Sequence, residues 1–162
     1  MLFQVYKVAK VFWLNGNRVF SRSYQGKYTV WDVKEGTTLC ELNFGTAEVL
    51  GSVFRGDLLV AWTNDGSLRV VDLDSGRILQ HLLHRDICSY ADLSPNMAVL
   101  AVSLGGVVVL WDIRKGDKVK IFDLCSQFGS EMIHINNMEF NPSGDKLILA
   151  SKDGGIFVVD ME

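Results

Sequence analysis

The sequence predicts an all-β chain built from four copies of one four-stranded unit, and three observations predict it. A Trp-Asp or Val-Asp pair recurs at Trp31-Asp32, Val71-Asp72, Trp111-Asp112 and Val159-Asp160, spaced 40, 40 and 48 residues apart. A glycine precedes each pair by five residues (Gly26, Gly66, Gly106, Gly154), and in the first three copies another follows the aspartate by four (Gly36, Gly76, Gly116). Between these marks stand short β-prone runs, RVFSRS, LLVAWT, AVLAVS and LILAS, and no window shows helical periodicity.

The elements follow in order from that template. A first strand ends at a turn signal: LNGN at 14–17, RGD at 55–57, SPN at 94–96 and NPSGD at 141–145. The β-prone run is the second strand, the first glycine turns the chain, and the third strand ends in the Asp pair. A polar turn through the second glycine then leads into a fourth strand. Glycine stands in these turns because tight hairpins need positive φ, which costs other residues steric energy. Pro95 and Pro142 both fall in turns, where no ladder donor is lost. The repeats run over approximately 1–43, 44–83, 84–130 and 131–162. Runs such as VVVLW and LRVV are apolar on both faces, so each sheet must be covered on both sides. Four-stranded sheets packed face to face around an axis provide that cover without long open edges. A unit of about 40–45 residues with four strands and a WD pair is the pattern of a propeller blade.

Bulk properties narrow the function. The 162 residues are 48% hydrophobic and 22% charged, which excludes disordered, collagen-like and coiled-coil classes. A net charge of −3 and the lack of any Lys/Arg run give no footprint for a phosphate backbone, so direct nucleic-acid binding is not expected. Lys7 and Lys10 interrupt the start of the chain where an export signal would stay apolar, and no window has the length of a membrane span. Cys40, Cys88 and Cys125 share no metal-ligand spacing and read as reduced thiols of a cytoplasmic or nuclear protein.

On the repeated residues the chain resembles the WD-repeat family over nearly its whole length. The resemblance implies blades fastened by a tetrad of His, Ser/Thr, Asp and Trp. Ser23, Thr63, Ser103 and Ser151 align with the hydroxyl position. Asp65 and Asp153 align with the carboxylate, where copies one and three have Gln25 and Gly105. Trp31 and Trp111 align with the indole, where the other copies have Val71 and Val159. His84 aligns with the imidazole, with Gln4, Phe44 and Glu131 elsewhere. No copy holds all four, so apolar packing and sheet ladders are expected to carry the blades. A buried Asp65 or Asp153 would need its turn amides as partners. The stretch DLDSGRIL also resembles quinone-binding propellers, but Leu39, Leu79 and Val119 fill the strand where those carry an aromatic residue.

Propellers of this family usually hold more than four blades, and the fourth copy here stops at its third strand. Met1 to Phe3 is short for a latch. Ring closure then requires further blades of a longer chain or a second chain, or else the molecule is an open arc. The longer chain is the expected arrangement, because exposed terminal blades are aggregation-prone edges. Residues 123–133, DLCSQFGSEMI, hold most of the excess length in the last spacing. The resemblance implies that such connections lie on the face most used for partners. Gln127, Phe128 and Arg85 are the candidate contact residues, Phe128 either as an interface anchor or folded back on its blade. In His84-Arg85-Asp86 the histidine is expected to be structural, and His81 and His134 have no zinc spacing. The repeated aspartates are expected to serve turns. The expected function is a non-catalytic protein–protein interaction scaffold without cofactor or metal. The alternative is a propeller-type enzyme or small-ligand sensor, which would need convergent carboxylates or histidines in the axial channel.

Overall fold

The computed structural model describes residues 8–24, 27–84, 86–129 and 133–161. Met1 to Phe3, Gln4, Gln25, Arg85 and Glu131, assigned above from sequence, lie outside the described residues. Each repeat contributes one antiparallel sheet. Blade 1 is β1 (Val8–Asn15), β2 (Arg18–Ser23), β3 (Tyr28–Asp32) and β4 (Thr37–Leu42). Blade 2 is β5 (Val49–Arg55), β6 (Leu58–Thr63), β7 (Ser67–Asp72) and β8 (Ile78–Leu83). Blade 3 is β9 (Tyr90–Leu93), β10 (Val99–Leu104), β11 (Val107–Asp112) and β12 (Asp117–Asp123). Blade 4 has three strands, β13 (Ile135–Phe140), β14 (Lys146–Ser151) and β15 (Ile156–Asp160). Sheet order follows chain order in every blade, and the ring is not closed.

The aspartate of the repeated pair closes the turn after the third strand. Asp32 Oδ1 accepts from the amides of Lys34 and Glu35 at 2.8 and 2.9 Å, and Asp112 Oδ1 accepts from Arg114 and Lys115 at 2.9 and 3.0 Å. Asp72 does the same for Asp74 and Ser75. Gly36, Gly76 and Gly116 end these turns at φ of 72°, 68° and 74°, a left-handed conformation that only glycine adopts without strain. Each glycine amide returns to the aspartate's own carbonyl.

Three apolar layers hold the blades together. Phe20, Tyr28 and Val30 of blade 1 pack on Leu59, Ala61 and Val71 of blade 2. Val60, Trp62, Leu68 and Val70 of blade 2 pack on Leu93, Leu100, Val102 and Trp111 of blade 3. Ala101, Val108 and Leu110 of blade 3 pack on Phe140, Leu147, Leu149 and Val159 of blade 4. Successive residues on a strand therefore face successive blades, which is why strands apolar on both faces were legible as covered sheets. Trp62 fits because its ladder partner is Gly51. A Cβ on Gly51 would stand 2.2 Å from the indole, so glycine makes the space that the large ring fills.

Polar ties set the blades against one another. Arg18 of blade 1 pairs with Asp57 and Asp74 of blade 2, and Arg55 Nε donates to the Leu93 carbonyl at 3.1 Å. The Phe140 amide donates to Asp92 Oδ2 at 2.8 Å across the interface of blades 3 and 4. Burial pushes the Asp92 carboxyl above its usual range, with that amide opposing the shift.

The insertion departs from the all-strand expectation. It forms a one-turn helix, α1 (Leu124–Phe128), capped by Asp123, whose side chain accepts from the Ser126 amide, and ended by Gly129 at φ 65°. Leu124 is fully buried, and its amide donates to the Gly106 carbonyl, which seats the helix on blade 3. Among the described residues no helix is long and apolar enough to cross a membrane.

Candidate interaction surface

The tetrad positions are the first candidates, and the structure rearranges them. In blade 1 the Trp31 indole donates to Ser21 Oγ at 2.8 Å, and that hydroxyl donates to the Thr29 carbonyl at 3.4 Å. Ser23 closes the adjoining turn instead, accepting from the Lys27 amide at 3.0 Å. Both serines face the same way on β2, so the sequence could not choose between them; the reach of the indole does.

In blade 2 the turn after β6 forms a compact polar cluster. Asp65 Oδ1 accepts from Thr63 Oγ1, from Ser67 Oγ at 2.7 Å and from the Ser67 amide at 3.1 Å. The hydrogen bonds of Thr63 and Ser67 hold the Asp65 carboxyl down at about 2. Arg69 joins this group: its guanidinium lies 3.5 Å from Asp65 Oδ2 and donates to the Phe44 carbonyl at 2.9 Å. Phe44 occupies the aligned histidine position, so an arginine from β7 reaches the site that an imidazole would fill. Asp65 and Asp153 are exposed, which corrects the expectation of buried carboxylates in this fold. In blade 4, Ser151 lowers the Asp153 carboxyl first among several causes, and its hydroxyl accepts from the Gly155 amide at 3.0 Å.

Blade 3 corrects the alignment of Ser103. Its second and third strands meet through the two-residue turn Gly105-Gly106, whereas blades 1, 2 and 4 use three residues there. The turn before β10 takes up the difference, with Met97 at φ 57°. The spacing of the repeated pair stays at 40, yet β10 is shifted by one residue. Ser103 consequently pairs with Val108 and faces blade 4, away from Trp111, and its hydroxyl donates to the Gly105 carbonyl. Val102 occupies the rung where blade 1 has Ser21. The Trp111 and His84 rings meet edge to face with centroids 6.3 Å apart. Both Trp111 Nε1 and His84 Nε2 are buried with no hydrogen-bond partner among the described residues. Burial, then Lys118, lowers the His84 pKa, against a smaller upward effect of Asp86.

The turns between second and third strands and the connections between blades lie at one end of the strands. Tyr24, Leu83, Ile87 and Phe128 are all exposed there. Phe128 also packs on Phe157 of blade 4 at 4.8 Å between centroids, so it rests on its blade while keeping a face in solvent. Gln127, beside it on α1, is exposed. A cleft of about 630 Å³ at this end, between blades 1 and 2, is lined by Arg22, Tyr24, Lys27, Glu41, Phe44 and Glu48, with Lys27 and Glu41 paired at 2.7 Å. Among the described residues no three His, Cys, Asp or Glu side chains form a metal-binding group. The three cysteines are free, and burial pushes the Cys88 thiol up to about 12, so it stays protonated.

At the level of sequence, no family model and no curated protein matches the chain. Solved structures do share its fold. The computationally designed Ika4 protein superposes with a TM-score of 0.77 at 20% identity, over 100% of this chain and 96% of its own. The designed Ika8 protein gives 0.74 at 21% identity over 94% of this chain, and the Cps50 (Swd1) β-propeller domain of Myceliophteria thermophila gives 0.78 at 18% over 98%. The chain spans only 45% and 52% of those two, respectively. The fold is therefore that of β-propeller blades in an unclosed arc.

Proposed function

We propose that the chain is a non-catalytic scaffold that binds other proteins, as a WD-repeat propeller subunit or part of one, in the cytoplasm or nucleus. The observation that supports this reading is the set of large apolar side chains, Tyr24, Leu83, Ile87 and Phe128, standing in solvent at the loop end of the blades. Protein interfaces draw most of their energy from a few such anchors set among polar neighbours. Phe128 suits the part. Its helix is capped at both ends and its ring is braced on Phe157, so little conformational freedom is lost when a partner covers it. The WD-repeat assignment is supported by the repeat spacing and by an aspartate that closes the same turn in three blades.

Affinity purification with quantitative mass spectrometry, comparing the wild-type chain with Phe128→Ser, tests the reading. A partner recovered stoichiometrically with the wild type and lost with the variant, while circular dichroism shows the fold intact, is the expected result. Equal recovery of every partner by both chains would remove the loop-end anchor from the argument.

A further inference from the structure

The two ends of the arc are the two halves of an interface that the chain uses three times internally. Ladder partners allow the comparison rung by rung. Phe20–Val30, Val60–Val70 and Ala101–Leu110 face the following blade in blades 1 to 3, and all six side chains are buried. The same rung of blade 4 is Ile148–Val158, with the two side chains 47% and 63% exposed. One rung further, Tyr28, Leu68 and Val108 are buried, whereas Ile156 is 71% exposed. The opposite end repeats this in mirror sense. Leu93 and Phe140 face the preceding blade and are buried, while Trp13 of blade 1, on the same rung, is 67% exposed. Val11, 60% exposed, matches the buried Ala91 and Met138.

We propose that a second copy of this chain covers both ends. The blade 4 face of each copy seats on the blade 1 face of the other, and two four-blade arcs close into one two-fold ring. Each chain carries one face of each kind, so two copies satisfy all four faces through two identical contacts and leave no open sheet. Any other single partner would have to reproduce both halves of the blade interface. The span agrees: the chain covers 52% of the Cps50 propeller chain, so two copies match one such domain in length. The contact continues the apolar layers already present between the blades and uses none of the loop-end residues, so it goes beyond the scaffold reading and stands or falls separately.

Sedimentation velocity over a dilution series tests it with Trp13→Lys, Ile156→Lys and their equimolar mixture. The substituted side chains are exposed in the single arc, and circular dichroism verifies that each variant folds. The wild type is expected at twice 18.1 kDa and each variant alone at 18.1 kDa. The mixture is expected to recover a one-to-one complex. Blade 4 of the Trp13→Lys chain still fits blade 1 of the Ile156→Lys chain. A wild type that stays at 18.1 kDa at every concentration overturns the proposal. So does Ile156→Lys remaining dimeric, which would mean a like-with-like contact through blade 1. An open ladder of larger wild-type species overturns the closed ring. Phe128→Ser is expected to leave the dimer unchanged, which separates this result from that of the loop-end anchor.

Discussion

Val102→Thr places a hydroxyl on the rung where blade 1 carries Ser21, within the layer that holds Trp111. The new oxygen stands to Trp111 as Ser21 Oγ stands to Trp31, so it can accept from Trp111 Nε1 and donate to the Val109 carbonyl, as Ser21 does to Thr29. A buried N–H without a partner costs about 1–3 kcal/mol, and a buried hydroxyl that finds partners recovers most of its own desolvation. The exchange should therefore leave wild-type stability unchanged or raise it by about 1 kcal/mol. In a Trp111→Phe background the indole donor is gone, so the same exchange should cost about 1–2 kcal/mol. The measurable quantity is the coupling between the two substitutions, expected at about 1–3 kcal/mol. Urea unfolding of the four proteins at one fixed concentration gives it, provided the m-value is constant. Coupling below about 0.3 kcal/mol, or an equal loss in both backgrounds, would refute the register assigned to β10.

Two predictions concern pH. Asp65 has its carboxyl lowered to about 2 by Thr63 and Ser67, so it contributes stability above the unfolded-state value of about 3.9 and loses it as pH falls towards 2. Asp65→Asn should flatten the stability profile in that window, read from thermal unfolding across the acid limb; an unchanged slope would contradict the hydrogen-bond cluster. His84 has its pKa lowered, mainly by burial, so it costs nothing at pH 8 and weakens the fold as pH falls through about 6.5, where the unfolded chain takes up the proton first. His84→Gln should remove that loss, and a variant as pH-sensitive as the wild type between pH 7 and 5 would place the titrating group elsewhere.

Much of the fold could be read from the chain because its strongest signals are local. The aspartate of the repeated pair needs only the two amides that follow it, so spacing alone located the turns at Asp32, Asp72 and Asp112. The tetrad was harder because it joins residues from different strands. A count back from Trp111 points to Ser103, but a turn one residue shorter puts Leu104 on the rung of Ser23, leaves Val102 on the rung of Ser21 and turns Ser103 to the other side. Sequence spacing cannot detect a gain before a strand that a loss after it cancels. Arg69 was missed because it approaches Asp65 across the turn, although its position four residues on was a usable cue. The helix in the insertion had a signal as well: Asp123 and Ser126 are spaced as a cap, in a segment too short to show periodicity.

The same limit explains why the sequence does not mark its own ends. The run LILAS alternates like the corresponding runs of the inner blades, and Ile148 looks no different from Val60 or Ala101 until burial is known. A blade written for a free surface would carry polar side chains on its second and third strands as well, because polar outer faces are what keep terminal repeats soluble. Blade 4 instead presents Ile148, Ile156 and Val158, and blade 1 presents Val11 and Trp13. Lys146 and Asp160 pair with each other at 3.1 Å along the rim, and Glu139 and Asn137 of β13 are exposed on the same face, so its apolar part is the one made by β14 and β15. Both terminal sheets thus have the composition of inner ones, and their chemistry calls for a blade on each side.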